Sequence, residues 1–162
     1  MGRLFILCGA SGCGKTTLMN GIAQITHQSV DPQLQGTLDQ GQVEPEPGLV
    51  RAPKYSERPV RRKEGEVDDI IHADAITADS HDVAYALNKT KYGLQYEPIE
   101  ELLDDGLNAM VIVSDLRTIR GIKSHFGDNA RAVYVSSAID AAKLRRIQLE
   151  RSGFSPDAEQ KT

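Results

Sequence analysis

The stretch GASGCGKT, Gly9 to Thr16, follows directly on the apolar run Leu4-Phe5-Ile6-Leu7-Cys8 and leads into TTLMNGIAQI. Its spacing, G-x-x-x-x-G-K-[ST], is that of a phosphate-binding loop, which has to leave a buried strand and enter a helix. The flanks meet that requirement: Arg3 to Cys8 reads as a buried strand, and the amphipathic run to about Ile25 as a helix. Gly9, Gly12 and Gly14 let the backbone take positive φ and approach a ligand closely, so that successive N–H groups point at a polyanion. The helix that starts near Gly14 adds the positive end of its dipole. The spacing assigns Gly9, Ala10, Ser11, Gly12, Cys13, Gly14, Lys15, Thr16 and Thr17 to ATP binding. Lys15 would reach the β- and γ-phosphates, and the Thr16 hydroxyl would ligate Mg²⁺.

After the loop, strand and helix signals alternate. His27 to Pro53 is rich in Gln, Gly and Pro and reads as a long connection. From Tyr55 to Tyr96 the pattern is weak, with short extended pieces and a turn of helix over Ser80 to Leu87. EPIEELLDDG is a helix with Pro98 near its start and Gly106 at its end. NAMVIVSD is a buried strand ending at Asp115, LRTIRGIKSHFGD an amphipathic helix, ARAVYVSS an apolar strand, and IDAAKLRRIQLERSG a helix. The order implies βαβ units and a parallel sheet covered on both faces. The expected fold class is therefore α/β: a P-loop three-layer α/β/α domain with a mostly parallel sheet and an inserted acceptor-binding segment. A single domain of 1–162 would have its core at about 1–27 and 98–150, the insertion at about 50–97, and the start of a lid at about 145–157. Asp115 sits at the carboxyl end of its strand, where open α/β sheets place ligands. It suits either a metal ligand or the N-cap of the helix that follows.

Charge and cysteine usage narrow the function. A formal net charge of −4 does not advertise nucleic-acid binding, and no apolar run approaches a membrane span. The opening residues lead straight into the loop and leave no room for a signal peptide, so the expected address is cytoplasmic. Ile6 stands where an N-myristoylation signal wants Ser or Thr. Cys8 and Cys13, the only cysteines, are too few for a disulfide framework or a zinc site. The basic residues cluster in RAPKYSERPVRRKEGE, either as a solvated loop or as a local anion site. Arg58 and Arg61, three apart around Pro59, would present two guanidinium forks to one phosphate.

These pieces, in this order, resemble the guanylate kinase family from Met1 to about Gly153. GASGCGKTT looks like the family's phosphate loop. SERPVRRKEGEVDD is similar to the segment whose two arginines hold the acceptor monophosphate, which places Arg58 and Arg61 on them. TKYGLQY places Tyr92 on a tyrosine that contacts the same phosphate. VIVSDLRTIRGIK places Asp115 on an acid of the acceptor and metal site, and LRRIQLERSGFS resembles the start of the lid, with Arg145, Arg146 and Arg151 facing ATP. The resemblance implies catalysis by Lys15, Arg58 and Arg146; acceptor binding by Arg58, Arg61, Tyr92 and Asp115; and Mg²⁺ on Thr16 and Asp115. ATP and a small phosphorylated acceptor such as GMP would be its ligands.

The sequence departs from that family at the base contacts. His72 and Leu94 replace a tyrosine and a hydroxyl residue, Lys54 or Tyr55 falls where a serine contacts guanine, and Asp82 is the acid nearest to the base-reading glutamate. The chain also stops at SPDAEQKT, short of the family's last elements. An exposed sheet edge there would favour a homo-oligomer. Two other readings stay open. The opening also resembles ribose 1,5-bisphosphate phosphokinases, and a non-catalytic module that binds a protein through the acceptor site would tolerate the changes at His72 and Leu94.

Overall fold

The computed structural model describes residues 1–28, 48–59, 70–138, 142, 143 and 146. Its centre is a four-stranded parallel sheet of β1 (Leu4–Cys8), β2 (Leu49–Arg51), β7 (Asn108–Ile112) and β8 (Ala130–Tyr134), in the order β2-β7-β1-β8. Successive side chains of a strand point to opposite faces, and both faces are covered. Leu4 and Ile6 of β1 join Ala109 and Val111 of β7, with Val113 just beyond it, against α2 (Glu97–Asp104) and α3 (Leu116–Phe126). Leu7 of β1 and Met110 and Ile112 of β7 pack on the other face against Met19 of α1 (Lys15–Gln28). The α/β class and the three layers hold.

The described helices form where the sequence places them; the expected last helix, over Ile139 to Gly153, lies largely outside the described residues. In α2 Pro98 occupies the first turn with Glu97 and Glu100, whose charges suit the positive helix end, and Ile99 and Leu103 are buried. In α3 Asp115 is the N-cap, and Thr118, Ile119, Ile122 and Phe126 form the buried stripe. β8 departs from its apolar appearance. It lies at one end of the sheet order, and of its five residues only Ala130 is buried.

A second sheet falls between β2 and α2. It comprises β3 (Tyr55–Ser56), β4 (Ile71–His72), β5 (Val83–Leu87) and β6 (Thr90–Leu94), in the order β4-β3-β6-β5. The helical turn expected over Ser80 to Leu87 is corrected here: Val83–Leu87 is a strand of an antiparallel hairpin, its residues Val83 and Leu87 paired with Leu94 and Thr90. Asn88 and Lys89, both at positive φ, make the two-residue turn, the backbone hand that matches the twist of a hairpin. Leu94, which replaces a hydroxyl residue of the resembled family, is fully buried in the core.

Candidate active site

The loop between β1 and α1 carries the expected phosphate-binding residues. Gly9, Gly12 and Gly14 all have positive φ, at 141°, 86° and 93°. The Cys13 amide closes a turn onto the Ala10 carbonyl, and the Leu18 amide bonds to Gly14 as the helix begins. Lys15, the first residue of α1, is 9% exposed. Its Nζ donates to the carbonyl oxygens of Gly9 at 2.9 Å and Ala10 at 2.7 Å, and to Cys13 Sγ at 3.7 Å. A charged ammonium is thus folded over its own loop, held by neutral carbonyls that a charged phosphate oxygen would outbid. Thr16 and Thr17 occupy the first helical turn, half-buried and exposed respectively.

The parallel register brings the end of β7 beside this loop. Leu7 faces Ile112, and three residues later the chain reaches Asp115. Ser114, which sequence reasoning passed over, donates its hydroxyl to the Gly9 carbonyl at 3.3 Å, the same oxygen that Lys15 holds. Asp115 Oδ2 accepts from both the amide and the hydroxyl of Thr118 at 2.7 Å. Those two bonds, the hydroxyl first, hold the Asp115 carboxyl below its ordinary range. Of its two readings the N-cap is the one present, and the same bonds keep the carboxylate ionised.

Of the four residues expected to bind an acceptor, Arg58 and Tyr92 lie at the small sheet, Asp115 caps α3, and Arg61 is outside the described residues. Ser56 pairs with Tyr92 on one side and His72 on the other. Its Oγ accepts from the Arg58 amide at 3.3 Å and donates to the Lys91 carbonyl at 3.0 Å. His72 Nδ1 lies 3.1 Å from the Arg58 carbonyl oxygen, so Arg58, His72 and Tyr92 share one end of this sheet. The Arg58 guanidinium itself bends back to the Pro59 carbonyl at 3.1 Å. Tyr92 stacks on Tyr85, centroids 5.4 Å apart. Beside them Glu57 accepts from the Ile76 amide and pairs with Lys91 at 3.3 Å; the amide foremost holds its carboxyl below the ordinary range. Arg61 lies outside the described residues, as do Arg145 and Arg151; Arg146 is helical and exposed.

The described members of the basic run have separate partners. Arg51 turns toward α1 and donates to Asn20 Oδ1 at 2.6 Å. Lys54, 5% exposed, donates to the Ile112 carbonyl at 3.0 Å and lies 5.4 Å from the Tyr92 ring centroid. Asp82, the acid nearest to a base-reading position, is engaged elsewhere: its Oδ2 accepts from the Tyr96 amide at 2.7 Å at the start of α2.

Two clefts flank the loop. One of about 520 Å³ lies between Gly9–Ser11, Ser114, Leu116 and the hairpin turn at Leu87 and Asn88. The other, about 490 Å³, lies between Gly12–Gly14, Thr17, Leu18 and Ser137. One cleft thus lies on the hairpin side of the loop and the other on the α1 side. No helix among the described residues is long and apolar enough to cross a membrane.

The chain matches no family model and no curated protein. Among solved structures it is similar to guanylate kinase from Anaplasma phagocytophilum, at 12% identity and a TM-score of 0.49, over 82% of this chain and 58% of that one. The chain thus spans a little over half the length of that neighbour.

Proposed function

We propose that this chain is an ATP-dependent phosphotransferase that passes the γ-phosphoryl group to a phosphate oxygen of a small acceptor, a nucleoside monophosphate such as GMP. The observation that carries the reading is Lys15, a nearly buried ammonium arched over the carbonyls of Gly9 and Ala10 at a strand-to-helix junction. A triphosphate entering the loop would replace those carbonyls with charged oxygens, and the loop amides and the α1 dipole would hold the rest. The Thr16 hydroxyl and the ionised Asp115 fit Mg²⁺, a hard cation that takes oxygen ligands and shares them with substrate phosphates. When bound, that ion supplies charge neutralisation on the β- and γ-phosphates.

The acceptor phosphate would be held by Arg58 and Tyr92 at the small sheet and by Arg61, with His72 bracing the Arg58 backbone. Its oxygen is already a nucleophile, so the protein needs no strong base, and catalysis is positioning plus electrostatic stabilisation. Arg146 would add positive charge from the lid side. In this reading residues 1–162 form one unit, with the acceptor segment inserted between β2 and α2.

An ADP-release assay over GMP, dGMP, AMP, UMP, CMP and ribose 1,5-bisphosphate tests it. Turnover with at least one acceptor is expected. Lys15→Ala should cut it by about 100-fold or more, the scale of losing a charged transition-state contact. Arg58→Ala should raise the acceptor KM by about tenfold or more with ATP affinity nearly intact, as expected for a lost charged contact. Magnesium-dependent ATP binding without turnover on any acceptor would favour a binding module. Folded protein that takes up no ATP in calorimetry would remove the proposal altogether.

A further inference from the structure

Two carbonyl oxygens hold Lys15, and neither depends on it alone. The Ala10 oxygen, 2.7 Å from Nζ, also accepts the Cys13 amide at 3.3 Å. The Gly9 oxygen, 2.9 Å from Nζ, also accepts the Ser114 hydroxyl at 3.3 Å. The first of these additional donors is main chain and comes with the turn of the loop itself. The second is a side chain brought from just past the end of β7, 105 positions away. The sheet puts it there: Leu7 lies opposite Ile112, the Val113 amide bonds to the Leu7 carbonyl at 3.1 Å, and the same register carried two residues further sets Ser114 against Gly9.

This sharing matters when Lys15 moves. A carbonyl oxygen has two lone pairs and can accept from two donors at once. An oxygen whose last donor departs keeps the whole cost of its lost solvation, which exceeds what a typical hydrogen bond returns. Gly9 has little room to reorient in search of a new donor, since a Cβ built on it would press on the Val135 carbonyl, well inside contact distance. Ser114 is already in place, on the wall of the cleft that it shares with Gly9, Ala10 and Ser11.

Building on the ATP-binding reading above, we infer that Ser114 is a positioning residue that makes Lys15 releasable: it keeps the Gly9 carbonyl satisfied when the ammonium leaves for the β- and γ-phosphates. The Cys13 amide does the same for Ala10, so the loop holds its shape while its lysine changes partners. Without the hydroxyl, Lys15 would be the sole donor to Gly9, and ATP would have to strip that oxygen bare. Ser114 acts on the nucleotide only through Gly9 and Lys15. A hydroxyl that merely fastened β7 to the loop would contribute as much to the empty protein as to the loaded one.

The test measures Mg·ATP affinity by calorimetry, and melting without nucleotide, for wild-type protein, Ser114→Ala and Ser114→Thr. Ser114→Ala should weaken Mg·ATP binding by about fivefold, the scale of one net hydrogen bond. Its Tm without nucleotide should fall by less than about 2 °C, because Lys15 still satisfies Gly9 there, whereas a fastener of the same strength would cost about 2–4 °C. Ser114→Thr keeps the hydroxyl and should bind Mg·ATP within about twofold of wild type. The inference is overturned if Ser114→Ala binds Mg·ATP as wild type does, if Ser114→Thr shares its loss, or if the empty Ser114→Ala protein melts lower by the fastener's margin. In each of those cases the kinase reading stands. Folded wild-type protein that takes up no Mg·ATP sinks that reading and this inference with it.

Discussion

Replacing Gly9 with alanine separates the two reasons a loop of this kind needs glycine. A Cβ there would press on the Val135 carbonyl oxygen, well inside contact distance, and would lie 3.2 Å from Cys13 Sγ. At Gly14 a Cβ would meet nothing within 4 Å, although φ is +93°. Gly14→Ala therefore carries backbone strain alone, about 1–2 kcal/mol. Gly9→Ala, at φ +141°, carries similar strain and must also displace a main-chain carbonyl. Overpacking of that kind costs about 1–3 kcal/mol, for a sum of about 2–5 kcal/mol. The Val135 amide is bonded to the Cys8 carbonyl at 2.8 Å, so yielding pulls the end of β8 away from β1. A chain this long loses about 2–4 °C of Tm per kcal/mol. That predicts a drop of about 2–8 °C for Gly14→Ala and about 4–20 °C for Gly9→Ala, near twofold apart. Calorimetric melting without nucleotide measures both. A Gly9→Ala protein melting at or above Gly14→Ala would refute the close approach of loop and β8 as the cause.

Removing the cap with Asp115→Ala should cost about 0.5–2 kcal/mol, read as a lower Tm at neutral pH. Because the folded pKa lies below the ordinary value near 3.8, this contribution is complete above that value and is lost as pH falls through the folded one. The wild-type-to-variant gap should therefore shrink below about pH 4, and a gap that is constant or widens on acidification would contradict it. In Gly93→Ala the new Cβ would press on the His81 ring, 2.8 Å from its Cγ, and His81 is 8% exposed with its edge on Tyr55. About 1–3 kcal/mol of stability should go, together with a raised acceptor KM; an unchanged melting curve would mean that the ring moves aside freely.

What the sequence disclosed follows how local each cause is. The glycine-rich turn from β1 into α1, α2 and α3 were legible because Gly spacing, Pro98 and the Asp115–Thr118 cap act within a few residues. The hairpin was missed although Val83, Tyr85 and Leu87 alternate before Asn88-Lys89, because five residues fit a helical turn as well as a strand. Lys54 read as part of a basic run, either a solvated loop or an anion site, at or beside the position of a base-contacting serine. Its partner is a carbonyl of β7, 58 residues away, and nothing in the run itself points there. Ser114 was hidden for the same reason: its bond to Gly9 spans 105 positions. The gathering of Arg58, His72 and Tyr92 depends on strand pairings around Ser56 that only the folded sheet supplies.

The strand that leads into the glycine-rich loop sits inside the main sheet, between β7 and β8, and its neighbours there, Ala109 and Ala130 opposite Leu4, come more than a hundred residues later. During synthesis this strand therefore emerges long before both of its neighbours. Contacts this distant slow folding, because the intervening chain must be closed before they repay it. Until then an apolar segment with both edges bare is open to misassociation, so the long wait is itself a folding hazard.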